Sequence, residues 1–297
     1  MFSHSASAEL WAILLEKAYA KAYGGFWNIG TGGFAEDAMK DLTGAPTEYV
    51  IIKGDEDQAT KDALFNKLKK ADEDQFILAA GSKGTGEQKK DNGIIQGHAY
   101  TIINVHLIQG EQVLEMRNPW GDENEWKGKW CDTSDAWTPE LRETYKMVES
   151  HPDGRFFMPF SDFLENFEQV SLCYYREDYI LSSFEDQTSN DYMNVYKFTV
   201  EKPGEYYVLL SQKDSRAFPT NPDGTDFAYS CNGIMVCTLT NGHVEFLGGK
   251  HGNRRDIWIK AKIPQTEVYV FVTSNWEKPD INNTIGLGVY GVASVRF

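Results

Sequence analysis

His98 and Asn118 are the two residues of this sequence whose types and setting suit acid–base chemistry. His98 stands in the stretch GHAY and Asn118 in the stretch RNPWG. Near neutral pH an imidazole takes a proton from a nucleophile and later returns it to a leaving group. An asparagine carbonyl accepts one ring N–H, which fixes the tautomer and turns the other nitrogen towards the nucleophile. Trp120, two residues further on, can cover that hydrogen bond and keep water out.

A predicted β-hairpin would bring these residues together. Residues 98–105 (HAYTIINV) and 113–118 (VLEMRN) have the composition of strands, and residues 107–112 with Gly110 form the predicted turn. His98 would begin one strand and Asn118 would end its antiparallel partner, so both would lie at the same end of the sheet. Spacing alone leaves two structural alternatives open, a histidine with only a structural role at a strand start and an Asn-Pro turn.

The rest of the first segment mixes helices with short strands. Apolar residues recur every fourth position from 10 to 22, which predicts a helix that ends before the glycine pair at 24–25. The glycine-rich stretch 24–33 lacks the spacing of a phosphate-binding loop, so we expect no nucleotide site there. The other predicted elements are helices at 57–70, 139–149 and 161–167, and strands at 76–80 and 170–175.

From about residue 183 the pattern changes to short strands. Runs rich in Val, Ile, Tyr and Phe alternate with turn clusters at 202–204, 221–224 and 241–242, and no helical period intervenes. This pattern is typical of an all-β sandwich, and residues 178–190 are predicted to be the linker in front of it. The predicted strands are 195–200, 205–211, 234–240, 244–246, 256–262, 268–274 and 286–290.

Composition and charge exclude several classes of protein. With 41% hydrophobic and 13% aromatic residues, the 297-residue chain has a globular rather than a disordered composition. The formal charge of −15 argues against nucleic acid as a main partner. The apolar runs are too short to span a membrane and the first residues do not form a signal peptide, so we expect a cytoplasmic protein. Basic residues near 250–262 leave binding to membrane lipid open.

The four cysteines, Cys131, Cys173, Cys231 and Cys237, form no CxxC pair and no metal-type spacing with histidine. We therefore expect reduced thiols, which agrees with a cytosolic protein. Cys173 and Cys237 fall in strand patterns, and Cys131 lies in an acidic loop that disfavours a thiolate. A hydrolase of another type, in which Cys131 works with His98, stays open as a third alternative.

Several ordered motifs resemble those of the calpain family of cysteine proteases. Residues 8–21 (AELWAILLEKAYAK) are similar to the helix that opens the second half of the calpain protease core. GHAY resembles the family's histidine motif and RNPWG its asparagine motif, and residues 126–130 (WKGKW) and 157–163 (FMPFSDF) continue the match in order. The resemblance covers residues 4–176. It implies a papain-like Cys-His-Asn site, with His98 as the base and Asn118 as the residue that orients it.

The resemblance also implies that the nucleophile lies outside this sequence. In the family it sits upstream, in a Gly-Asp-Cys-Trp type segment at the start of a helix, whereas all four cysteines here follow His98. We therefore expect this chain to lack the nucleophilic cysteine and to be inactive alone. The missing half-domain is then a partner, in the same chain or in another, and protein substrates are the other expected partners.

An acidic loop after Asn118 suggests a cation site, because crowded carboxylates suit Ca²⁺. Its acidic residues are Asp122, Glu123, Glu125, Asp132 and Asp135. A solvated loop without an ion is the alternative. The resemblance implies calcium ligands at the Glu125 and Asp132 side chains, at a carbonyl of Trp120 and at Asp153. Arg155 stands where the family has a further acidic ligand, and a guanidinium repels a dication.

Together these observations predict an α+β chain of two domains. Residues 1–180 would form a papain-like half-domain, an antiparallel sheet with flanking helices, and residues 183–297 a β-sandwich that resembles the C2-like domain of calpains. The favoured function is part of an intracellular, calcium-responsive cysteine endopeptidase. The alternative is a non-catalytic pseudo-protease or regulatory protein that binds its targets through the sandwich.

Overall fold

The computed structural model describes residues 9–30, 32–121, 124–147, 153–189, 191–217, 229–240, 242–275 and 284–297. Contacts divide the chain into two compact units, one of residues 34–176 and one that joins residues up to Gly33 with residues 177–297. This grouping differs from the predicted domains, 1–180 and 183–297, because it assigns the first helix to the C-terminal unit. The domain assignment itself stays a prediction.

The unit of residues 34–176 is built on a six-stranded antiparallel sheet with strand order β1-β6-β2-β3-β4-β5. Its strands are β1 (Thr47–Ile51), β2 (Ile77–Ser82), β3 (Ala99–Ile108), β4 (Glu111–Arg117), β5 (Arg155–Pro159) and β6 (Phe167–Cys173). Its helices are α3 (Ala35–Thr43), α4 (Gln58–Glu73), α5 (Pro139–Thr144) and α6 (Phe160–Asn166). The antiparallel sheet with flanking helices that the sequence predicts is confirmed.

The predicted hairpin is present as β3 and β4, with both strands longer than expected. Only Gln109 and Gly110 separate them, and both have positive φ angles of 52° and 84°, as a tight primed turn requires. The predicted turn of six residues is therefore wrong, because residues 107, 108, 111 and 112 pair in the ladder. His98 directly precedes β3 and Asn118 directly follows β4.

A β-bulge interrupts β3. Ile102 pairs with Met116 and Asn104 with Glu115, so Ile103 is an extra residue without a partner on β4. Before the bulge Tyr100 and Ile102 point into the main apolar cluster of this unit, whereas after it the odd-numbered Val105 does so. The bulge therefore shifts the alternation of side chains by one residue. Even-numbered side chains face the cluster before it, and odd-numbered ones face the cluster after it.

Three elements of this unit were not predicted, namely α3, β1 and β5. The sequence of β1, TEYVI, is rich in residues that favour strands, so this element could have been predicted. Its side chains are half-buried or exposed because it is an edge strand. Helix α5 begins as expected, with Pro139 in its first turn and the Thr138 hydroxyl accepting a hydrogen bond from the Leu141 N–H. It ends at Thr144, earlier than predicted, and the predicted end at Glu149 lies outside the described residues.

The C-terminal part of the other unit folds as two four-stranded antiparallel sheets with orders β11-β10-β13-β8 and β12-β9-β14-β7. One apolar cluster takes side chains from both sheets, which confirms the predicted sandwich. The strands are β7 (Ile180–Gln187), β8 (Asn194–Val200), β9 (Gly204–Gln212), β10 (Cys231–Thr240), β11 (His243–Gly252), β12 (Asp256–Ile263), β13 (Thr266–Asn275) and β14 (Thr284–Gly291). The predicted turn at 221–224 and Asn241 lie outside the described residues.

Residues 178–190 are not the linker that the sequence suggested, because β7 lies within them and pairs with β14. Most of its side chains are exposed, as expected for an edge strand, so its apolar signal is weak. Arg255 also departs from the predicted basic patch: it is buried and forms ion pairs with Asp214 and Asp256.

Two helices precede Gly33, α1 (Trp11–Ala22) and the short α2 (Phe26–Ile29). They belong to the unit of the sandwich through Arg216, which lies in a 3₁₀ turn, Ser215–Ala217, and donates hydrogen bonds to the hydroxyls of Tyr19 and Tyr23. Arg216 is itself held by Asp214. No helix in the described ranges is long and apolar enough to cross a membrane.

Candidate active site

His98 and Asn118 form a direct side-chain hydrogen bond at one end of the six-stranded sheet. The distance between His98 Nε2 and Asn118 Oδ1 is 3.0 Å. His98 is 8% exposed and Asn118 is fully buried. The hairpin of β3 and β4 thus brings together the two residues that the sequence singled out.

The orientation of the Asn118 amide is fixed by its other hydrogen bonds. Its Nδ2 donates to the carbonyl oxygen of Asn124 at 3.1 Å, and its Oδ1 accepts from the Trp120 N–H at 3.1 Å. Oδ1 therefore faces His98 as an acceptor, and the ring must donate from Nε2. Nδ1 is then the ring nitrogen that faces the nucleophile in a Cys-His-Asn arrangement, since the asparagine carbonyl engages the other nitrogen.

The backbone of His98 is tied to the neighbouring strand by Ser82, a buried residue at the end of β2. The Ser82 hydroxyl accepts the His98 N–H at 3.0 Å and lies 2.6 Å from the carbonyl oxygen of Ile95. Gly97 has a φ of 58°, and a Cβ there would lie 2.9 Å from the carbonyl oxygen of Gly84. The glycine before His98 is therefore required by both its conformation and its close packing.

Two aromatic rings contact the imidazole. The Trp120 ring centroid lies 4.6 Å from that of His98, and Tyr100 packs edge-on at 5.1 Å. The Trp120 side chain is half-buried. This is the position in which a ring limits the access of water to the His98–Asn118 hydrogen bond.

Nδ1 of His98 also has a partner, Glu87. The Glu87 Oε1 lies 3.3 Å from Nδ1, and the Glu87 side chain is 59% exposed. Glu87 belongs to the loop of residues 83–98 between β2 and β3. The nitrogen that would face a nucleophile is thus in contact with a carboxylate on a surface loop.

The structure does not bring a cysteine to this site as a partner of His98, since both ring nitrogens contact other side chains. Cys131 is buried and its Sγ contacts the Thr133 hydroxyl at 3.6 Å, so the third alternative gains no support. Burial raises the pKa of the Cys173 and Cys237 thiols, which disfavours the reactive thiolate.

The residues implied as calcium ligands are engaged with protein groups. Glu125 Oε1 accepts the Gly154 N–H and Asp153 Oδ1 accepts the Arg155 N–H, both at 2.8 Å. Burial, followed by the charge of Asp153, raises the pKa of Asp132 to about 6, and burial raises that of Glu125 to about 7. One oxygen of Asp132 is buried without a hydrogen-bond partner. Asp122 and Glu123 lie outside the described residues.

The Arg155 guanidinium forms its hydrogen bonds with groups other than these carboxylates. Its Nε donates to Glu115 Oε1 at 2.6 Å, and its two terminal nitrogens donate to the carbonyl oxygens of Tyr145 and Lys146. Within the described part of the chain, no three His, Cys, Asp or Glu side chains are grouped to hold a metal ion. As arranged, Glu125, Asp132 and Asp153 do not fit the implied calcium site, and calcium binding itself stays a prediction.

Sequence reasoning missed Ser82, Glu87 and Glu115. Ser82 ends a short strand and carries no motif, and Glu87 lies in a polar loop where a carboxylate is ordinary. Glu115 is 4% exposed and falls within an apolar strand pattern. A charged residue inside such a run is the one signal in the sequence that points to a buried ion pair.

Comparison with known proteins gives a consistent result. Residues 1–174 match the calpain family cysteine protease domain. A calpain-type cysteine protease of Oryza sativa subsp. japonica is 36% identical over 168 residues, which are 56% of this chain and 8% of that protein. Calpain clp-4 of Caenorhabditis elegans is 38% identical over 179 residues, 58% of this chain and 25% of that protein. Calpain-A of Drosophila melanogaster is 36% identical over 204 residues, which are 64% of this chain and 24% of that protein.

The matched region is thus a quarter or less of the length of these relatives. Among solved structures, a Yersinia pseudotuberculosis-derived mitogen matches with a TM-score of 0.26 and 6% identity, covering 37% of this chain and 84% of that one. A likeness of that size supports no statement about fold or function.

Proposed function

Because the chain belongs to the calpain family of cysteine proteases, we propose that it supplies the histidine and asparagine of a Cys-His-Asn endopeptidase site. The observation that carries the proposal is the hydrogen bond of 3.0 Å between His98 Nε2 and the oriented carbonyl oxygen of Asn118. This bond fixes the tautomer of the ring, so that Nδ1 faces the surface loop of residues 83–98, where its described contact is the exposed Glu87 side chain.

In the proposed reaction His98 acts through Nδ1. It takes the proton of a cysteine thiol that another segment supplies, and the thiolate attacks the carbonyl carbon of a peptide bond. The imidazolium then donates its proton to the leaving amine, and water hydrolyses the acyl-enzyme. Asn118 keeps Nε2–H engaged throughout, and Trp120 limits the access of water to that bond. This chain alone then has no activated thiol and is inactive.

The experiment is carried out on the protein purified from its source. Its intact mass shows whether residues precede Met1, and a peptide-based thiol reagent shows whether a reactive cysteine is present. We expect a labelled cysteine upstream of this chain and peptide hydrolysis that His98→Ala abolishes. A native protein of 33.7 kDa that takes no label would overturn the proposal.

A second candidate function is binding without catalysis through the sandwich. It is favoured by a groove of about 320 Å³ beside β10, β11 and β13, whose lining includes Met235, Phe246 and Lys250. Such a groove suits an apolar group with a negative end. Co-sedimentation with phosphatidylserine vesicles tests the lipid version: binding that Phe246→Asp removes supports it, and no binding by the unaltered protein excludes it. A cytoplasmic location stays a prediction for cell fractionation.

A further inference from the structure

Glu87 holds the nitrogen of His98 that the proposed reaction needs. Asn118 Oδ1 takes the Nε2 proton, because Nδ2 and the Trp120 N–H fix the direction of the amide. Glu87 Oε1, an acceptor, lies 3.3 Å from Nδ1. The carboxylate therefore occupies the position beside Nδ1 that a thiol must reach to transfer its proton. In this arrangement Nδ1 cannot receive a proton from a thiol.

Backbone hydrogen bonds hold the loop that carries Glu87 at Lys83 and from Gln88 onward. On its C-terminal side the Gln96 N–H donates to the carbonyl oxygen of Gln88 at 2.9 Å, and Lys89 forms a β-bridge with Ile95. On its N-terminal side the Lys83 N–H donates to the carbonyl oxygen of Asn166. The loop therefore does not need to unfold for the Glu87 side chain to change rotamer.

The Glu87 side chain itself is mostly in solvent. It is 59% exposed, and its contact with Nδ1 is the ion pair described for it. An exposed ion pair is worth about 1 kcal/mol or less, so the side chain leaves at little cost. The contact is close enough to occupy Nδ1 and weak enough to be displaced.

We propose that Glu87 is a positioning residue that occupies the nucleophile-facing nitrogen of His98 and swings aside when a cysteine thiol takes its place. The inference rests on the proposed function for the identity of the displacing group. The carboxylate then keeps the imidazole in its working orientation while no thiol is present. It also competes with the thiol for the same nitrogen, so its removal favours the competent arrangement.

The contact can be tested on this chain with diethyl pyrocarbonate, which acylates free imidazole nitrogens. We expect His98 to react slowly in the unaltered protein and about fivefold faster in Glu87→Ala, the factor that corresponds to the loss of an exposed ion pair of about 1 kcal/mol. Peptide mass spectrometry measures each histidine separately, and the exposed His243 serves as an internal reference whose rate stays the same.

Two matched variants separate this effect from a loosened loop. Lys89→Ala removes an exposed charge of the same loop and is expected to leave the rate at His98 unchanged. Glu87→Gln keeps an amide that can hydrogen-bond to the ring and is expected to give a smaller increase than Glu87→Ala. Equal rates at His98 in the unaltered protein and Glu87→Ala, or an equal increase in Lys89→Ala, would overturn the inference.

A second measurement examines the consequence in the native protease. Glu87→Ala is expected to raise kcat up to the same factor and to leave KM unchanged, since the residue competes with the thiol and not with the substrate. A kcat that falls in Glu87→Ala would overturn the displacement. If the native protein has no cysteine-dependent activity, the proposed function fails, whereas the difference in His98 acylation still supports the occupancy of Nδ1 by Glu87.

Discussion

His98 before strand β3 and His106 near its end each contact a glutamate, yet the two surroundings differ in how firmly that glutamate is held. His106 Nε2 lies 3.0 Å from Glu115 Oε2, and its ring stacks on Phe157. The Glu115 side chain is 5% exposed, against 59% for Glu87. The same pair of side chains therefore occurs once in the interior and once beside solvent.

The partners of the two glutamates explain the difference. Besides His106, Glu115 accepts hydrogen bonds from Asn104 at 2.8 Å and from Arg155 at 2.6 Å. For Glu87 the described partner is His98 alone. A buried carboxylate with three donors is fixed, because leaving any of them unpaired is costly, whereas an exposed carboxylate with one donor can leave. A histidine–glutamate pair is thus structural or adjustable according to its surroundings.

The largest expected effect separates the two histidines by activity. If the native protein has the proposed peptidase activity, His98→Ala is expected to lower kcat by about 10²- to 10⁴-fold, the contribution of a general base. His106→Ala, on the same strand but away from Asn118, is expected to leave kcat close to that of the unaltered protein. Peptide hydrolysis under saturating substrate measures both. Similar losses in the two variants would mean that the comparison is wrong.

The next effect separates the two glutamates by stability. Glu115→Ala removes the carboxylate that Arg155 and His106 contact in a mostly buried setting, and we expect a loss of about 3 kcal/mol in the free energy of unfolding. Glu87→Ala is expected to cost less than about 1 kcal/mol. Urea denaturation of this chain followed by tryptophan fluorescence measures both. A Glu87→Ala loss as large as that of Glu115→Ala would contradict the difference drawn here.

A smaller effect concerns pH. Burial would raise the pKa of Glu115, but hydrogen bonds from His106, Arg155 and Asn104 outweigh it and lower the pKa below its ordinary value of 4.5. A lowered pKa contributes stability above the unfolded value and loses it as the pH falls through the folded value. Glu115→Gln should therefore be less stable than the unaltered protein at pH 7. The gap should narrow as the pH falls below that ordinary value and through the lowered pKa of the folded state; a gap that widens in acid would contradict the assignment.

The smallest expected effect is that of calcium on the unaltered chain. Because Arg155 stands where the resemblance implies an acidic ligand, and pairs with Glu115, we expect millimolar Ca²⁺ to leave Tm unchanged. Arg155→Glu should have a lower Tm that Ca²⁺ raises, and Arg155→Gln, which adds no carboxylate, should show the lower Tm without the calcium response. A rise in the Tm of the unaltered protein with Ca²⁺ but not Mg²⁺ would show that the calcium site is present.

The sequence predicted the pairing of His98 with Asn118 because it depends on local features. Two alternating apolar runs around Gly110 define a hairpin, and the ends of a hairpin meet whatever the rest of the chain does. The sandwich was predicted for the same reason, from short runs between turn clusters. Edge strands such as β7 were missed since their side chains face solvent and leave little periodic signal.

The contacts of Glu87 and Arg155 could not be predicted from the sequence. Glu87 meets His98 through a loop whose path depends on positive φ angles at Gly84, Gly86 and Glu87 itself. Arg155 meets Glu115 because β5 pairs with β4, and β5 was not predicted. Long-range contacts of this kind depend on register, which composition does not specify.

Ile103, the extra residue in β3, determines on which side of the sheet the later side chains of the strand lie. Eight positions separate His98 from His106, so an unbroken alternation would display both imidazoles on one side. The insertion moves all later residues out of phase, and Val105 fills the core where an even-numbered residue would otherwise stand. The two imidazole–carboxylate pairs thereby lie apart, and deleting Ile103 would restore the alternation that places both imidazoles on one side of the sheet.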